Sequence, residues 1–268
     1  MSLVGYELAD HVATITLNRP EAHNAFNREL LREMRDAFQR FRTEEEARVA
    51  IVTGAGGRAF SAGMDLKELS RRRSQPRDDS TPRPSGVSRF LGSDPTDLFA
   101  GSNLWKPLIA AIDGYCLAGG LELALSCDLR FATPASVFGL TEVTRGIIAG
   151  GGGTQRLPRM VPLAAAMEVL LTGRHVDADE ALRWGLLNRV VPANQLMDTV
   201  RQVASTIASN APLAVRASKE AALRGLDVGF EQGMRIEAFL SQVISRTDDA
   251  REGPLAFAEK RKPDYKGR

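Results

Sequence analysis

The sequence predicts an α/β fold that is built from repeated strand–helix units and is followed by a helical C-terminal region. Two observations support this prediction. Short apolar segments with strand character alternate with helical segments through about residue 190, as they do in α/β folds. After Pro192 the strand signals stop. We therefore divide the chain into a core, residues 1–192, and a helical region, residues 193–268.

The first elements show the two-residue period of a strand and the apolar stripe of a helix. In HVATITLN the side chains of Ala13, Ile15 and Leu17 fall on one face, which predicts a strand. Asn27 can cap the helix that follows. The apolar stripe of that helix consists of Leu30, Leu31, Met34, Ala37, Phe38 and Phe41.

Buried strands and C-terminal helices account for most of the remaining chain. The strand segments are VAIVTG (49–54), LIAAIDG (108–114) and DLRFAT (128–133). The C-terminal helical segments lie around residues 193–209, 212–224, 230–246 and 249–261. The stretch 71–97 is instead rich in Arg, Ser, Asp and Pro, which predicts a mobile surface loop. Its three leading arginines can hold phosphates, although a solvated charge cluster is the more usual arrangement.

Composition and charge exclude several classes of protein. The chain has 268 residues with 35 basic and 33 acidic side chains, and a net charge of +2 gives no argument for nucleic acid binding. No run approaches the roughly 18 apolar residues of a membrane span, and the first residues lack a secretory pattern. We expect a cytoplasmic protein in which Cys116 and Cys127 are reduced and buried. The three histidines are scattered, so we expect no metal site.

Three glycine-bearing segments precede predicted helices. They are AFSAGMDLKEL (59–69), DGYCLAGGLELALSCD (113–128) and GIIAGGGGTQRL (146–157). Glycine lets the backbone approach a ligand closely, and the first turn of a helix presents N–H groups that have no partner inside the helix. Two such segments can point N–H groups at one oxygen. Close packing of helices on strands is the more usual reason for each segment alone.

Two carboxylates stand in apolar surroundings. Glu122 lies three residues after Gly119, where a glutamate can simply cap its helix. Its neighbours Leu121 and Leu123 nevertheless indicate burial. Glu142 follows in FGLTEVTRG, another mostly apolar stretch. Two carboxylates in one poorly hydrated site take different pKa values, so one pocket can supply an acid and a base together.

Together these segments resemble the enoyl-CoA hydratase/isomerase family, the crotonase group. The resemblance covers nearly the whole chain. Its motifs, in order, are ATITLNRPEAHNAFN, FSAGMDLKE, AAIDGYCLAGGLELALSCDLRFAT, FGLTEVTRGIIAGGGGTQRLPR, LLTGRHVDADEALRWGLLNRVV and EGPLAFAEKRKPDYKG. The resemblance implies a crotonase fold, in which repeated ββα units form a spiral core and the C-terminal helical region mediates trimerisation.

The family's motifs also imply the residues of a site. In crotonase-like proteins two backbone N–H groups form an oxyanion hole for the thioester oxygen of an acyl-CoA, and by motif they belong here to Met64 and Gly119. The two catalytic carboxylates of the hydratases fall at Glu122 and Glu142. The residues that match family contacts to CoA are Asp65, Leu66, Lys67 and Lys260. In the family, the last of these lysines reaches the CoA of a neighbouring subunit.

With both glutamates present, the resemblance implies an enoyl-CoA hydratase. Such an enzyme adds water syn across the double bond of a trans-2-enoyl-CoA to give a 3-hydroxyacyl-CoA, as in fatty acid β-oxidation. Coenzyme A enters as part of the substrate, so we expect no separate cofactor. The family also implies a homotrimer or a dimer of trimers. From the small net charge and the lack of a long apolar run, we expect no nucleic acid or membrane partners.

Other functions stay open on the sequence alone. A Δ3,Δ2-enoyl-CoA isomerase needs only one carboxylate, and other crotonase-type acyl-CoA lyases share the oxyanion hole. An acyl-CoA-binding or RNA-associated scaffold is a further alternative, which a missing glutamate would favour. Thr141 stands where many hydratases have proline, and segment 71–97 falls in a region that often shapes the acyl pocket. These departures leave the substrate open more than the reaction.

Overall fold

The computed structural model describes residues 2–74 and 104–268. Its strands are β1 Val4–Ala9, β2 Val12–Leu17, β3 Val49–Gly54, β4 Ala59–Ser61, β5 Leu108–Ile112, β6 Tyr115–Leu117, β7 Leu129–Ala132, β8 Val137–Gly139, β9 Val176–Asp177 and β10 Arg189–Val190. Its α-helices are α1 Arg28–Thr43, α2 Leu66–Ser74, α3 Gly119–Ser126, α4 Gly153–Met160, α5 Leu163–Thr172, α6 Ala178–Arg183, α7 Ala193–Ser209, α8 Pro212–Gly225, α9 Phe230–Ile244 and α10 Asp248–Ala258. Short 3-10 helices span Pro20–Ala22 and Glu142–Arg145.

The strands form two sheets between which the chain alternates. The larger sheet has the order β1-β2-β3-β5-β7-β10, in which β1 and β2 are antiparallel and the later neighbours are parallel. The smaller sheet has the order β4-β6-β8-β9, in which β4, β6 and β8 are parallel and β9 is antiparallel. Each of β3, β5 and β7 joins the larger sheet, the next strand joins the smaller one, and a helical segment follows. This is the predicted repeat of ββα units in a spiral.

The topology gathers three loops at one edge of the smaller sheet. The parallel register pairs Ser61 of β4 with Cys116 of β6, and Leu117 of β6 with Gly139 of β8. Because parallel neighbours end at the same edge, the segments that leave these strands emerge side by side. They are the three segments that the sequence predicts to carry the site.

The predicted amphipathic elements pack as expected. Ala13, Ile15 and Leu17 are fully buried, which confirms the apolar face of β2. The side chain of Asn27 accepts a hydrogen bond from the N–H of Leu30 at 2.8 Å and so caps α1. The buried residues of α1 are Leu30, Met34, Ala37, Phe38 and Phe41. These residues reproduce the predicted stripe except for Leu31, which is only partly buried.

A second apolar cluster covers the other face of the larger sheet. Its strand residues are Val49, Ile51, Ile109, Ala111 and Phe131, and its residues on α7 are Leu196, Val200, Ala204 and Ala208. The first helix of the predicted C-terminal region therefore completes the core. Helices α8 and α9, in contrast, pack mainly on each other. The division of the chain at residue 192 stays a prediction.

Charged side chains that are buried or partly buried hold the end of α3 and the C-terminal helix α8 against the core. Arg130 is 8% exposed and donates to the carbonyls of Leu186 at 2.7 Å and Cys127 at 2.6 Å. Lys219 of α8 pairs with Asp128 at 2.7 Å. Since buried carbonyls and charges need partners, these bonds hold α3 in a fixed position beside the sheet edge.

The predicted loop at 71–97 is partly wrong. Residues 71–74 belong to α2, because arginine is a good helix former and continues the helix that Asp65 caps. The rest of that segment, from residue 75, lies outside the described residues. In the two described ranges, no helix is long and apolar enough to cross a bilayer.

Candidate active site

The loop after β4 brings one main-chain donor to the sheet edge. The N–H of Phe26 donates to the carbonyl of Gly63 at 2.7 Å, and the N–H of Asp65 donates to the carbonyl of Phe26 at 3.0 Å. These bonds form the parallel bridge between Phe26 and Met64. The N–H of Met64 takes no part in it and, within residues 2–74 and 104–268, donates to no other carbonyl. It can therefore serve an oxygen from outside the chain.

The segment after β6 provides a second donor. Gly119 is the first residue of α3, so its N–H has no partner inside the helix. The preceding residue, Ala118, has φ 49° and ψ −126°, a strained conformation for a residue with a Cβ atom. The N–H of Ala118 donates to the carbonyl of Gly139 on β8 at 2.8 Å. Together the strand bond and the strained turn fix the direction of the Gly119 N–H.

The two donor segments touch through Gly63. This residue has φ 83°, and a Cβ atom here would lie 2.8 Å from both the nitrogen of Gly119 and the Cβ of Ala118. Glycine is required for two reasons, the left-handed backbone and the close approach. The contact sets the position of Met64 relative to Gly119.

Glu122 lies in the first turn of α3 and is 5% exposed, which confirms its predicted burial. Its Oε1 accepts hydrogen bonds from the N–H groups of Gly151 at 2.7 Å and Gly153 at 2.9 Å. Between these donors Gly152 has φ 104°, and a left-handed residue directs successive N–H groups toward one point, as in anion-binding nests. The simple capping interpretation of Glu122 is therefore wrong, because its carboxylate binds a distant turn instead.

Glu142 begins the 3-10 helix after β8 and is 8% exposed. Its Oε2 is buried and has no hydrogen-bond partner in the described part of the chain. Burial raises the pKa of Glu142 to about 7, and the negative charge of Glu122 adds to that increase. Leu121 and Leu140 are also buried, at 2% and 1% exposed. The two carboxylates therefore interact in poorly hydrated surroundings, where one of them is readily protonated near neutral pH.

The chain matches the family model described as enoyl-CoA hydratase/isomerase over residues 7–268. The chain belongs to the enoyl-CoA hydratase/isomerase family. This confirms the resemblance that the motifs indicate.

Relatives of this enoyl-CoA hydratase/isomerase family member match it over nearly its full length. (E)-Benzylidenesuccinyl-CoA hydratase of Thauera aromatica is 43% identical, over 98% of this chain and 99% of the relative. Carnitinyl-CoA dehydratase of Proteus mirabilis is 44% identical, over 96% and 95% respectively. The crystal structure of an enoyl-CoA hydratase from Bacillus anthracis has a TM-score of 0.87 at 39% identity, over 99% of this chain and 100% of that one. The chain is thus an enzyme with the crotonase fold, a lyase of the hydratase and dehydratase type.

Asp65, a predicted CoA contact, uses its side chain within the protein. Its Oδ2 pairs with Arg19 at 2.7 Å, and its Oδ1 accepts hydrogen bonds at 3.1 Å from the N–H groups of Lys67 and Glu68. Burial alone would raise the pKa of Asp65, but the bond with Arg19 and the N–H donors hold it below its usual value. The side chain caps α2. The predicted contact of Asp65 with CoA would therefore be made by its backbone.

The other predicted CoA contacts are exposed. Leu66 and Lys67 begin α2 with exposed side chains. Lys260 is exposed just beyond α10 and has φ 55°, a left-handed conformation that costs a residue with a Cβ atom about 1–2 kcal/mol. Contact of Lys260 with the CoA of a neighbouring subunit stays a prediction.

Several groups that support the site escape sequence reasoning. The four-glycine run marks a segment of interest, but nothing in it indicates that Gly151 and Gly153 bind Glu122. The pairing of Arg19 with Asp65 likewise has no local signal. The two cysteines are free and buried, as predicted. In the described ranges, no group of three or more His, Cys, Asp or Glu side chains is arranged to hold a metal ion.

Replacement of Gly63 tests the contact between the donor segments. Gly63→Ala should reduce turnover of an enoyl-CoA by at least ~10-fold, because the new methyl group displaces the Gly119 N–H from the predicted oxyanion hole. Its matched control is Gly57→Ala, which also has a positive φ, 65°, but whose nearest contact would be an ordinary 3.5 Å. Both variants should lose about 1–2 kcal/mol of unfolding free energy from the strained backbone. Steady-state kinetics and urea unfolding measure the two effects, and equal activity losses in both variants would contradict the assignment.

Proposed function

We propose that this enzyme catalyses the reversible syn addition of water to a trans-2-enoyl-CoA, giving a 3-hydroxyacyl-CoA. The observation that supports it best is the pair of buried carboxylates in unlike surroundings. Glu122 accepts two main-chain hydrogen bonds, the partners that an ionised carboxylate takes. Glu142 has a pKa of about 7 and a buried oxygen without a hydrogen bond within the described residues. The pair can supply one base and one acid, with no bound cofactor.

The substrate's thioester oxygen is proposed to bind the N–H groups of Met64 and Gly119. Addition of water to the double bond places enolate character on that oxygen, so the donors act on charge that develops in the transition state. One such donor is typically worth ~10²–10³ in rate. The CoA moiety would contact the backbone from Met64 to Lys67, and the side chain of Lys260 from a neighbouring subunit.

The two glutamates are proposed to handle different protons. Ionised Glu122 takes a proton from the water that attacks C3, and neutral Glu142 delivers a proton to C2. In dehydration each residue performs the reverse step. Both carboxylates act on the same face of the double bond, which makes the addition syn.

The acyl group remains the open part of the proposal. One relative is named for benzylidenesuccinyl-CoA and another for carnitinyl-CoA, so polar and aromatic acyl groups belong in the substrate panel beside straight chains. A preference for straight-chain 2-enoyl-CoA substrates would support a role in fatty acid β-oxidation. That role and a cytoplasmic location stay predictions.

A reaction in deuterated water separates a hydratase from an isomerase. The enzyme should convert a 2-enoyl-CoA to a 3-hydroxyacyl-CoA that carries one deuterium at C2, measured by mass spectrometry and NMR. Glu122→Gln and Glu142→Gln should each lower the hydration rate at least ~10²-fold, the scale of general acid–base catalysis. Fast conversion of a 3-enoyl-CoA to the 2-enoyl form without any hydroxylated product would replace the hydratase by the Δ3,Δ2-isomerase.

The raised pKa of Glu142 predicts a specific pH profile. Hydration starts from a carboxylate pair that carries one proton, and that proton is lost as pH rises through about 7. We expect kcat/KM to fall above this pH, and to fall in the same way for dehydration, because both directions start from a singly protonated pair. In the residual activity of Glu142→Gln, this fall of kcat/KM above pH 7 should be absent. A profile that stays flat from pH 6 to pH 9 would contradict the acid role of Glu142.

We also propose that the enzyme forms a homotrimer or a dimer of trimers. Helix α5 exposes Leu163, Met167 and Leu171, spaced by four residues on one face. Leu226, just after α8, and Phe230, at the start of α9, are also exposed, and both line a cavity of about 460 Å³ between these helices. A monomer rarely leaves so much apolar surface in water. Two different apolar faces on one chain favour a head-to-tail contact that closes into a ring.

Light scattering tests this assembly. A trimer has three times the chain mass of 29.1 kDa, and a dimer of trimers twice that. Phe230→Asp should shift the enzyme toward smaller species because it places a charge in an apolar contact. Gln202→Asp, on an exposed position of α7, should leave the assembly unchanged. A wild-type monomer at micromolar concentration would rule out the proposed oligomer.

A further inference from the structure

We propose that Arg156 is a positioning residue for Glu122 and that it acts through the glycine turn between them. The inference rests on the proposed function, in which Glu122 is the base that activates water. Arg156 lies in α4, beyond the turn, and its side chain donates a hydrogen bond to a carbonyl of that turn. Its influence is transmitted by one peptide group.

That peptide group joins Gly151 to Gly152. The N–H groups on either side of it, those of Gly151 and Gly153, hold Glu122 Oε1 at 2.7 and 2.9 Å. Its carbonyl, the oxygen of Gly151, accepts a hydrogen bond from Arg156 Nη1 at 3.0 Å. A change in ψ of Gly151 or φ of Gly152 that the other angle does not compensate alters the angle between the two donors, which then no longer converge on one acceptor. By holding the carbonyl of this peptide, Arg156 restricts both of these rotations.

The turn needs such an anchor because its own sequence gives it little rigidity. Residues 150–153 are all glycine, and glycine has more conformational freedom to lose than any other residue. Within the described part of the chain, the side chains that hydrogen-bond to this turn are those of Glu122 and Arg156. The main chain of α4 adds a bond from the N–H of Arg156 to the carbonyl of Gly152 at 2.8 Å. One residue thus holds two successive carbonyls of the turn.

The chemistry of the guanidinium suits this task. Arginine stays protonated at all working pH values, so its hydrogen bond to a carbonyl is charge-assisted and does not titrate. Its charge also reaches Cys127 at the end of α3, where burial raises the thiol pKa to about 12 and Arg156 opposes that increase. The guanidinium therefore lies within electrostatic range of the C-terminal end of α3. Lysine offers three rotatable donors on a flexible stem, without the planar geometry of the guanidinium.

Kinetics of Arg156→Gln and Arg156→Lys test the inference. Loss of the anchor should lower kcat for hydration of crotonyl-CoA by roughly 10-fold to 100-fold, the scale of a small misplacement of a catalytic group. KM should change little, because the CoA contacts lie elsewhere. Arg156→Lys should recover part of the rate. The matched control is Arg159→Gln, one turn along α4. The side chain of Arg159 is exposed and donates to the carbonyl and the side chain of Gln155 in the same helix.

A double-mutant cycle distinguishes positioning from general destabilisation. If Arg156 acts through Glu122, then Arg156→Gln should cost no further activity in a Glu122→Gln background. Under the proposed mechanism, exchange of the C2 proton of butyryl-CoA in deuterated water uses Glu142 and the oxyanion donors but not Glu122, so it should stay near the wild-type rate in Arg156→Gln. Circular dichroism and thermal unfolding establish that each variant is folded.

The outcomes separate this inference from the proposed function. Additive losses in the cycle, or equal losses of hydration and C2 exchange, would overturn the role of Arg156 and leave the hydratase assignment intact. Wild-type kcat in Arg156→Gln would do the same. Near-wild-type hydration by Glu122→Gln alone would instead overturn the base assignment, and the positioning role with it.

Discussion

The parallel pairing of β4, β6 and β8 is the constraint on which the rest of the site depends. Parallel neighbours end at one edge of a sheet, so the loops that follow them emerge together although they are far apart in sequence. The close approach of Gly63 to Gly119 exists because of this register. Donors that belong to the main chain have no side-chain rotamers to order, and a sheet edge keeps them in place before substrate arrives.

The two glutamates illustrate how identical side chains acquire different properties. Both are nearly inaccessible to solvent, at 5% and 8% exposed. Glu122 has two N–H partners, whereas an oxygen of Glu142 is buried without a partner among the described residues. Hydrogen bonding favours a negative charge in the first case, and desolvation disfavours it in the second. The surroundings of each carboxylate therefore favour a proton on Glu142 rather than on Glu122. The apolar neighbours of the pair exclude bulk water, which would otherwise reduce this difference.

The sequence predicts the elements of this fold better than it predicts the contacts between them. Alternation of Ala13, Ile15 and Leu17 defines a strand, and Asn27 with its apolar stripe defines a helix, because both signals are local. The binding of Glu122 by Gly151 and Gly153 joins segments 29 and 31 residues apart through main-chain atoms. Main-chain N–H groups are the same in nearly every residue, so no letter of the sequence marks them as partners. The raised pKa of Glu142 has the same origin, since burial depends on the complete fold.

Ala118 has a consequence for attempts to stabilise this enzyme. Its φ of 49° with ψ of −126° is readily adopted by glycine, and the strain of such a residue is of the order of 1–3 kcal/mol. A design procedure that minimises only the folding free energy would therefore select glycine at this position. The result would be three successive glycines at the start of α3, with a wider range of motion for the donor at Gly119. Thermostability and preorganisation make opposite demands on this one methyl group.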